Sequence, residues 1–273
     1  MKAPKHQKDI PLLNNKYYSR VSVFSPETLL REARRQNSIP EGEIPDICIL
    51  DPDGDLVRRL TNEKKAVRNP YWACYHTQLF SFVFENMEFG IVGCAVGAPF
   101  AVLIAEEMFA SGCKLVISIT SAGQILPNKT PPYFIFIERA LRDEGTSYHY
   151  LPPAKYAHIQ TALIEMLANV FYQSTVPVEP GNTWTTDAPF REVQAAIDYA
   201  GSEGILAVEM EAAALYAFAD ARKKPVICFA LVTNQMGNEE NDFEKGDAQG
   251  STDTLNLIAI VARKWSDIMR KEI

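Results

Sequence analysis

The sequence predicts an α/β fold with a largely parallel central sheet. Short apolar runs alternate along the chain with segments of helical pattern. The runs are apolar at consecutive positions, as in strands buried on both faces. No internal repeat, low-complexity tract or convincing linker divides the 273 residues, so one domain is the economical organisation.

Residues 1 to about 44 are polar and interrupted by proline. Within them SPETLLREARRQ (25–36) reads as a helix, with Ser25 as its N-cap. Buried strands are expected at ICIL (47–50), FGIVGCAV (89–96), LVISI (115–119), YFIFI (133–137), GILAV (204–208) and VICFALV (226–232). Helices are expected at 100–112, 159–173, 190–200, 211–221 and 252–265.

Composition narrows the function classes. The chain is 47% hydrophobic and 22% charged, an ordinary globular balance with material for a large core. Its formal charge of −7, from 27 basic and 34 acidic residues without a basic run, argues against nucleic acid as a partner. No apolar stretch reaches the ~18 residues of a membrane span, and the first twenty residues lack the apolar core of a secretory leader. Cys48, Cys74, Cys94, Cys113 and Cys228 form no CxxC pair and read as reduced thiols of a cytoplasmic protein.

In parallel sheets ligands bind where strands end, so the strand ends are the places to look for chemistry. After the first strand comes DPDGDLVRR (51–59). It fails as a calcium loop, because glycine stands fourth instead of sixth and Asn62 holds the twelfth place. It reads as a turn opening a helix, or as an anion site built from backbone N–H groups around Gly54 and the guanidinium of Arg58. TSAGQI (120–125) offers the hydroxyls of Thr120 and Ser121, with Gly123 allowing close backbone approach. GCAVGAPF (93–100) has neither dinucleotide nor P-loop spacing. GNTWTTDAPFRE (181–192) reads as a loop in which Trp184 either stacks on a planar base or anchors the surface. ALVTNQ (230–235) ends in Asn234, whose amide donates to and accepts from a heterocycle edge. Zinc spacing and the GxSxG elbow are both absent, and the four histidines (His6, His76, His149, His158) read by default as packed or surface residues.

GILAVEMEAAALYAFADA (204–221) raises the sharpest question. Glu209 and Glu211 flank Met210 where a strand meets a buried helix. Residues two apart cannot share a helical face, so the two acids do not form one stripe. They read either as helix caps or as carboxylates turned to a ligand.

Together these segments resemble the nucleoside phosphorylase family, which holds uridine phosphorylases, hexameric purine nucleoside phosphorylases and methylthioadenosine nucleosidases. VEMEAAALY (208–216) is the most specific piece; DGDLVRR, ISITSAGQI, GNTWTTDAPF and ALVTN stand in the family's order. RDEGTSYHYLPP (142–153) looks most like the uridine phosphorylase branch. The resemblance covers about residues 45–265. It implies a single-domain three-layer fold, with a central mixed, mostly parallel sheet flanked by helices. It divides the chain into an N-terminal extension (1–44) packing on the core and a catalytic domain (45–273).

The implied activity is phosphate-dependent cleavage of the N-glycosidic bond of a uridine or purine ribonucleoside to free base and ribose 1-phosphate. The implied alternatives are a nucleosidase using water and a non-catalytic nucleoside binder. By the same likeness Met210 and Glu211 hold the ribose, with Glu209 beside them. Gly54, Arg58, Ser121 and Thr120 hold phosphate. Trp184, Asn234 and Arg191 face the base, and Glu211 and Asn234 are the catalytic pair. No metal or cofactor is implied beyond inorganic phosphate as co-substrate, and a homodimer or homohexamer is expected. The pattern departs at Ser118, where the family's phosphorylases carry a second phosphate arginine, and His76 lies where an arginine crosses a dimer.

Overall fold

The first helix illustrates how the elements arise. In this computed structural model, which describes residues 10–172, 174–236 and 242–270, α1 (Pro26–Asn37) starts where Ser25 Oγ accepts the N–H of Thr28 at 3.4 Å. Ser38 closes it in the left-handed conformation. Its buried face, Leu30 and Ala33, packs with Ala73 and Ala110. His6 and Gln173 lie outside the described residues.

The sheet is built outward from β1 (Ile47–Asp51), buried along its whole length, as its unbroken apolar run requires. β1 pairs in parallel with β4 (Met87–Gly93) on one side and β5 (Leu115–Gln124) on the other. β2 (Ala66–Arg68) and β3 (Phe80–Phe84) continue antiparallel beyond β4. On the far side β10 (Val226–Asn234) runs parallel to β5 and antiparallel to β6 (Tyr133–Asp143). β6 pairs in parallel with β8 (Val178–Thr186), which pairs in parallel with β9 (Ala207–Glu209), and β9 returns antiparallel to β5. β7 (Tyr156–His158) flanks β6. The sheet is therefore mixed, and five of its strands, β5, β10, β6, β8 and β9, close into a ring.

Helices cover this framework: α2 (Asp55–Asn62), α3 (Ala98–Ala110), α4 (Ser147–Tyr150), α5 (Thr161–Leu167), α6 (Gln194–Ser202), α7 (Ala212–Arg222) and α8 (Ser251–Met269). None of the described helices is long and apolar enough to cross a membrane. The alanines of α7 let it sit close against α3, α4 and β6, and every residue from Ala212 to Ala219 is buried. Tyr216 ties α7 to the ring. Its hydroxyl donates to the carbonyl of Ile137 at 2.5 Å and accepts the N–H of Cys228 at 3.1 Å. The β6–β10 ladder ends at Phe136 and Phe229, so the phenol bridges the place where the two strands part.

Several elements differ from expectation. GNTWTT lies in β8 rather than in a loop. Glycine suits position 181 of that strand, because the side chain of Leu206 lies against it and a Cβ there would stand 2.4 Å from Leu206 Cδ1. TSAGQ continues β5 rather than forming a turn. The strand expected over 204–208 shrinks to β9, because Gly204 is left-handed and residues 201–204 finish α6 and its turn. The helix expected over 190–200 splits into a 3-10 turn at Pro189–Arg191 and α6. Of the one expected over 159–173, the described residues are α-helical only within α5.

Tyr216→Phe leaves the N–H of Cys228 without its partner. The expected cost is about 1–3 kcal/mol, a fall in Tm of several degrees measured by calorimetry.

Candidate active site

Glu209 ends β9, and α7 begins three residues later. The first turn of α7 is buried, so water does not satisfy its N–H groups and the protein must. Glu209 Oε2 accepts the N–H groups of Glu211 and Ala212, both at 2.7 Å. Its Oε1 accepts the hydroxyls of Thr183 (3.1 Å) and Thr185. Thr185 in turn accepts the N–H of Ala213 at 2.9 Å. Both oxygens of Glu209 are thus committed to the protein. Glu209 serves the start of α7, its side chain accepting the first N–H groups of the helix.

Glu211 points elsewhere. Its Oε1 accepts the N–H of Gly97 at 2.7 Å, at the start of α3. Its Oε2 is buried with no hydrogen-bond partner, and the residue is 1% exposed. Burial, with Glu209 alongside, pushes the Glu211 carboxyl up to about 8, against the hydrogen bond from the N–H of Gly97. Burial raises Glu209 as well, so the pair does not ionise fully at neutral pH. One buried carboxyl therefore keeps an open acceptor beside the half-buried Met210. Thr120, buried on β5, carries the neighbouring hydroxyl.

The turn after β1 lies across β5 from this carboxyl. Gly54 sits at φ 74° as the residue before α2, a conformation that favours glycine. A Cβ there would lie 2.6 Å from Cys94 Sγ and 2.7 Å from Arg58 Nη1. Asp51 fixes the turn from below: its Oδ2 accepts the N–H of Val57 at 2.9 Å, and its carbonyl accepts those of Gly54 and Cys94. Burial raises the Asp51 carboxyl to about 6. Arg58 Nη2 donates to the carbonyl of Asp53 (2.8 Å) and to Asp55 Oδ1 (2.5 Å). Ser121 donates its hydroxyl to Asp53 Oδ2. Lys245 donates to Asp53 Oδ2 at 2.9 Å and to Asp55 Oδ2 at 2.6 Å. A 20 Å³ cavity opens among Asp53, Thr120, Ser121 and Thr254.

Of the residues expected at the base, Trp184 and Asn234 are engaged within the protein and Arg191 lies at the surface. Trp184 is 5% exposed, packs with Val208, Ile197 and Met236, and donates Nε1–H to Asp143 Oδ2 at 3.0 Å. Asn234 Oδ1 accepts the N–H of Met236 at 2.9 Å. The space above Gly123 is taken by Met236, whose Sδ would stand 2.4 Å from a Cβ there. Arg191 is exposed on its 3-10 turn. Ser118 is buried on β5. His76 is exposed. Arg142 of RDEGTSYHYLPP is buried and folds that segment around its own guanidinium, donating to Ser147, Leu151 and Pro152. Lys245 carried no signal in sequence, because a single lysine in a polar loop looks like any surface lysine.

A closed strand ring, a buried carboxyl with one open oxygen, and a glycine turn where Arg58 and Lys245 meet Asp53 and Asp55 make up the candidate site of this α/β protein. A family model described as the phosphorylase superfamily matches residues 46–263, and the chain belongs to that family. A guanosine phosphorylase of Halorubrum lacusprofundi is 22% identical over 217 residues, 75% of this chain and 87% of that protein. A uridine phosphorylase structure from Vibrio fischeri superposes with a TM-score of 0.66 at 22% identity, covering 80% of this chain and 90% of that one. A 5′-methylthioadenosine/S-adenosyl homocysteine nucleosidase from Campylobacter jejuni gives 0.65 at 15% identity, covering 82% and 100%.

Two outcomes separate the two glutamates. Glu209→Ala strips the buried start of α7 of its acceptors and is expected to cost at least ~3 kcal/mol in denaturant unfolding. Glu211→Gln acts through pH. A carboxyl at about 8 when folded and 4.5 when unfolded binds more protons in the folded state between those values, so it loses stability as pH rises through that window. Removing it is expected to flatten this fall, so the variant's Tm gains on the wild type from pH 5 to pH 8.

Proposed function

We propose that the protein cleaves the N-glycosidic bond of a ribonucleoside, with inorganic phosphate as the acceptor. The observation that carries this reading is the open Oε2 of Glu211, buried and without a partner. Ribose hydroxyls donate to it, and Met210 lies against the sugar. Such hydrogen bonds favour the ionised carboxylate, so binding draws Glu211 down from about 8. The carboxylate then faces the positive charge that grows on the ribose ring as the bond to the base lengthens. A phosphate oxygen forms the new bond to C1′ while the C1′–N bond breaks. The electron pair leaves with the base, which takes up a proton from phosphate or solvent.

In this reading Gly54, Arg58, Ser121 and Thr120 hold phosphate, and Asn234 hydrogen-bonds the base once Met236 withdraws. Asn234 is neutral and supplies no proton, which suits a 6-oxopurine or a pyrimidine better than adenine. Trp184 supports the base pocket from behind, and Arg191 lies at its rim. The phosphorylase names among its relatives support the acceptor. Assembly as a homodimer or homohexamer in the cytoplasm belongs to the same proposal.

A second reading, hydrolysis, is favoured by Ser118, which leaves β5 without the arginine of the phosphorylases it resembles, and by the nucleosidase likeness. The deciding experiment incubates the protein with uridine, inosine, guanosine and adenosine, with and without phosphate, and quantifies free base by chromatography. Base released only with phosphate is the expected result. Equal release without phosphate establishes the hydrolase, and no release from any of them overturns both.

A further inference from the structure

Asp53 Oδ2 marks a point where two donors from distant parts of the chain meet. Ser121 reaches it from β5, and Lys245 Nζ reaches it at 2.9 Å from the segment before α8. An anionic oxygen placed at that point contacts both donors, beside the left-handed Gly54. Lys245 is delivered there by a tightly wound segment. The N–H of Glu244 bonds the carbonyl of Thr233 on β10 at 2.7 Å. Gly246, Ala248, Gln249 and Gly250 all have positive φ. A Cβ at Gly250 would stand 2.8 Å from the carbonyl oxygen of Lys245, so the turn closes directly on that residue.

We propose that Lys245 is the second cation of the anion subsite, and that Asp53 is its built-in competitor, a carboxylate occupying the place of a phosphate oxygen. This rests on the reading that the Gly54 turn binds phosphate. An ammonium on β10's side of the turn supplies the charge that Ser118 does not. Arg58 is poorly placed to do it alone, since its fork is already engaged by Asp53 and Asp55 and its side chain is 56% exposed. Phosphate enters when the Asp53 side chain swings out, which transfers Ser121 and Lys245 from the carboxylate to the incoming anion.

The test is direct binding of inorganic phosphate to the full chain, read as the rise in Tm with phosphate concentration, with KM for phosphate in parallel. Asp53→Asn removes the competing charge and is expected to tighten phosphate roughly tenfold. Lys245→Met is expected to weaken it by at least about tenfold without changing KM for the nucleoside, and Lys245→Arg to retain binding. Because Lys245→Met takes from Asp53 and Asp55 the cation they share, the same substitution is also made in the Asp53→Asn background, where it is expected to abolish the gain. Phosphate binding to Lys245→Met as tight as to the wild type overturns the proposal, as does the absence of tightening in Asp53→Asn. The two readings fail separately. Phosphate that binds through Lys245 without any release of base leaves this inference standing and removes the phosphorylase. Phosphate-dependent release with an unchanged KM in Lys245→Met does the reverse.

Discussion

Glu209 gathers the first N–H groups of α7 into one carboxylate, and the position of that cap decides where the helix begins. α7 has no wet face at its start, and its alanines pack flat against neighbouring elements. Its orphan donors must therefore find acceptors within the protein. Thr183 and Thr185 on β8 hold the cap from the other side, so the cap also fixes β8 against β9. The spacing of the two acids follows from this. One residue must end the strand as the cap, and the chain needs two more steps to enter the helix. Glu211 then emerges on the opposite side, toward Gly97, with an oxygen left over. The capping reading and the ligand reading of the acidic pair thus apply to different residues.

Much of this was legible in the sequence, because buried strands and an alanine-rich helix declare themselves by composition. The runs at 47–50, 115–119, 133–137 and 226–232 all lie within strands, and Ser25 caps its helix. The turn at Gly54 was legible because glycine, flanking acids and Arg58 sit within one short stretch. What the sequence does not declare is non-local. β8 hides behind Pro180 and Gly181, and the glycine is needed because Leu206, just before β9, fills the space a side chain would take. Trp184 looked available because its loop looked exposed, yet its ring packs beside Met236 and its N–H is taken by Asp143. Lys245 meets Asp53 only after the chain has passed through nine strands, β2 to β10, and no local pattern encodes such a pairing.

The ring of five strands bears on how the molecule comes into being. β5 takes part through two partners made much later, with Val226 set against Val116 and Val208 against Gly123. Until β10 has left the ribosome, β5 and β6 both lack their shared neighbour and the ring stays open. The early open wing of β1, β4, β3 and β2 needs none of this, since its partners β2, β3 and β4 follow one another closely in the chain. During synthesis one half of the sheet therefore assembles as it is made. The half that carries the chemistry waits with unpaired edges, in need of protection from neighbouring nascent chains.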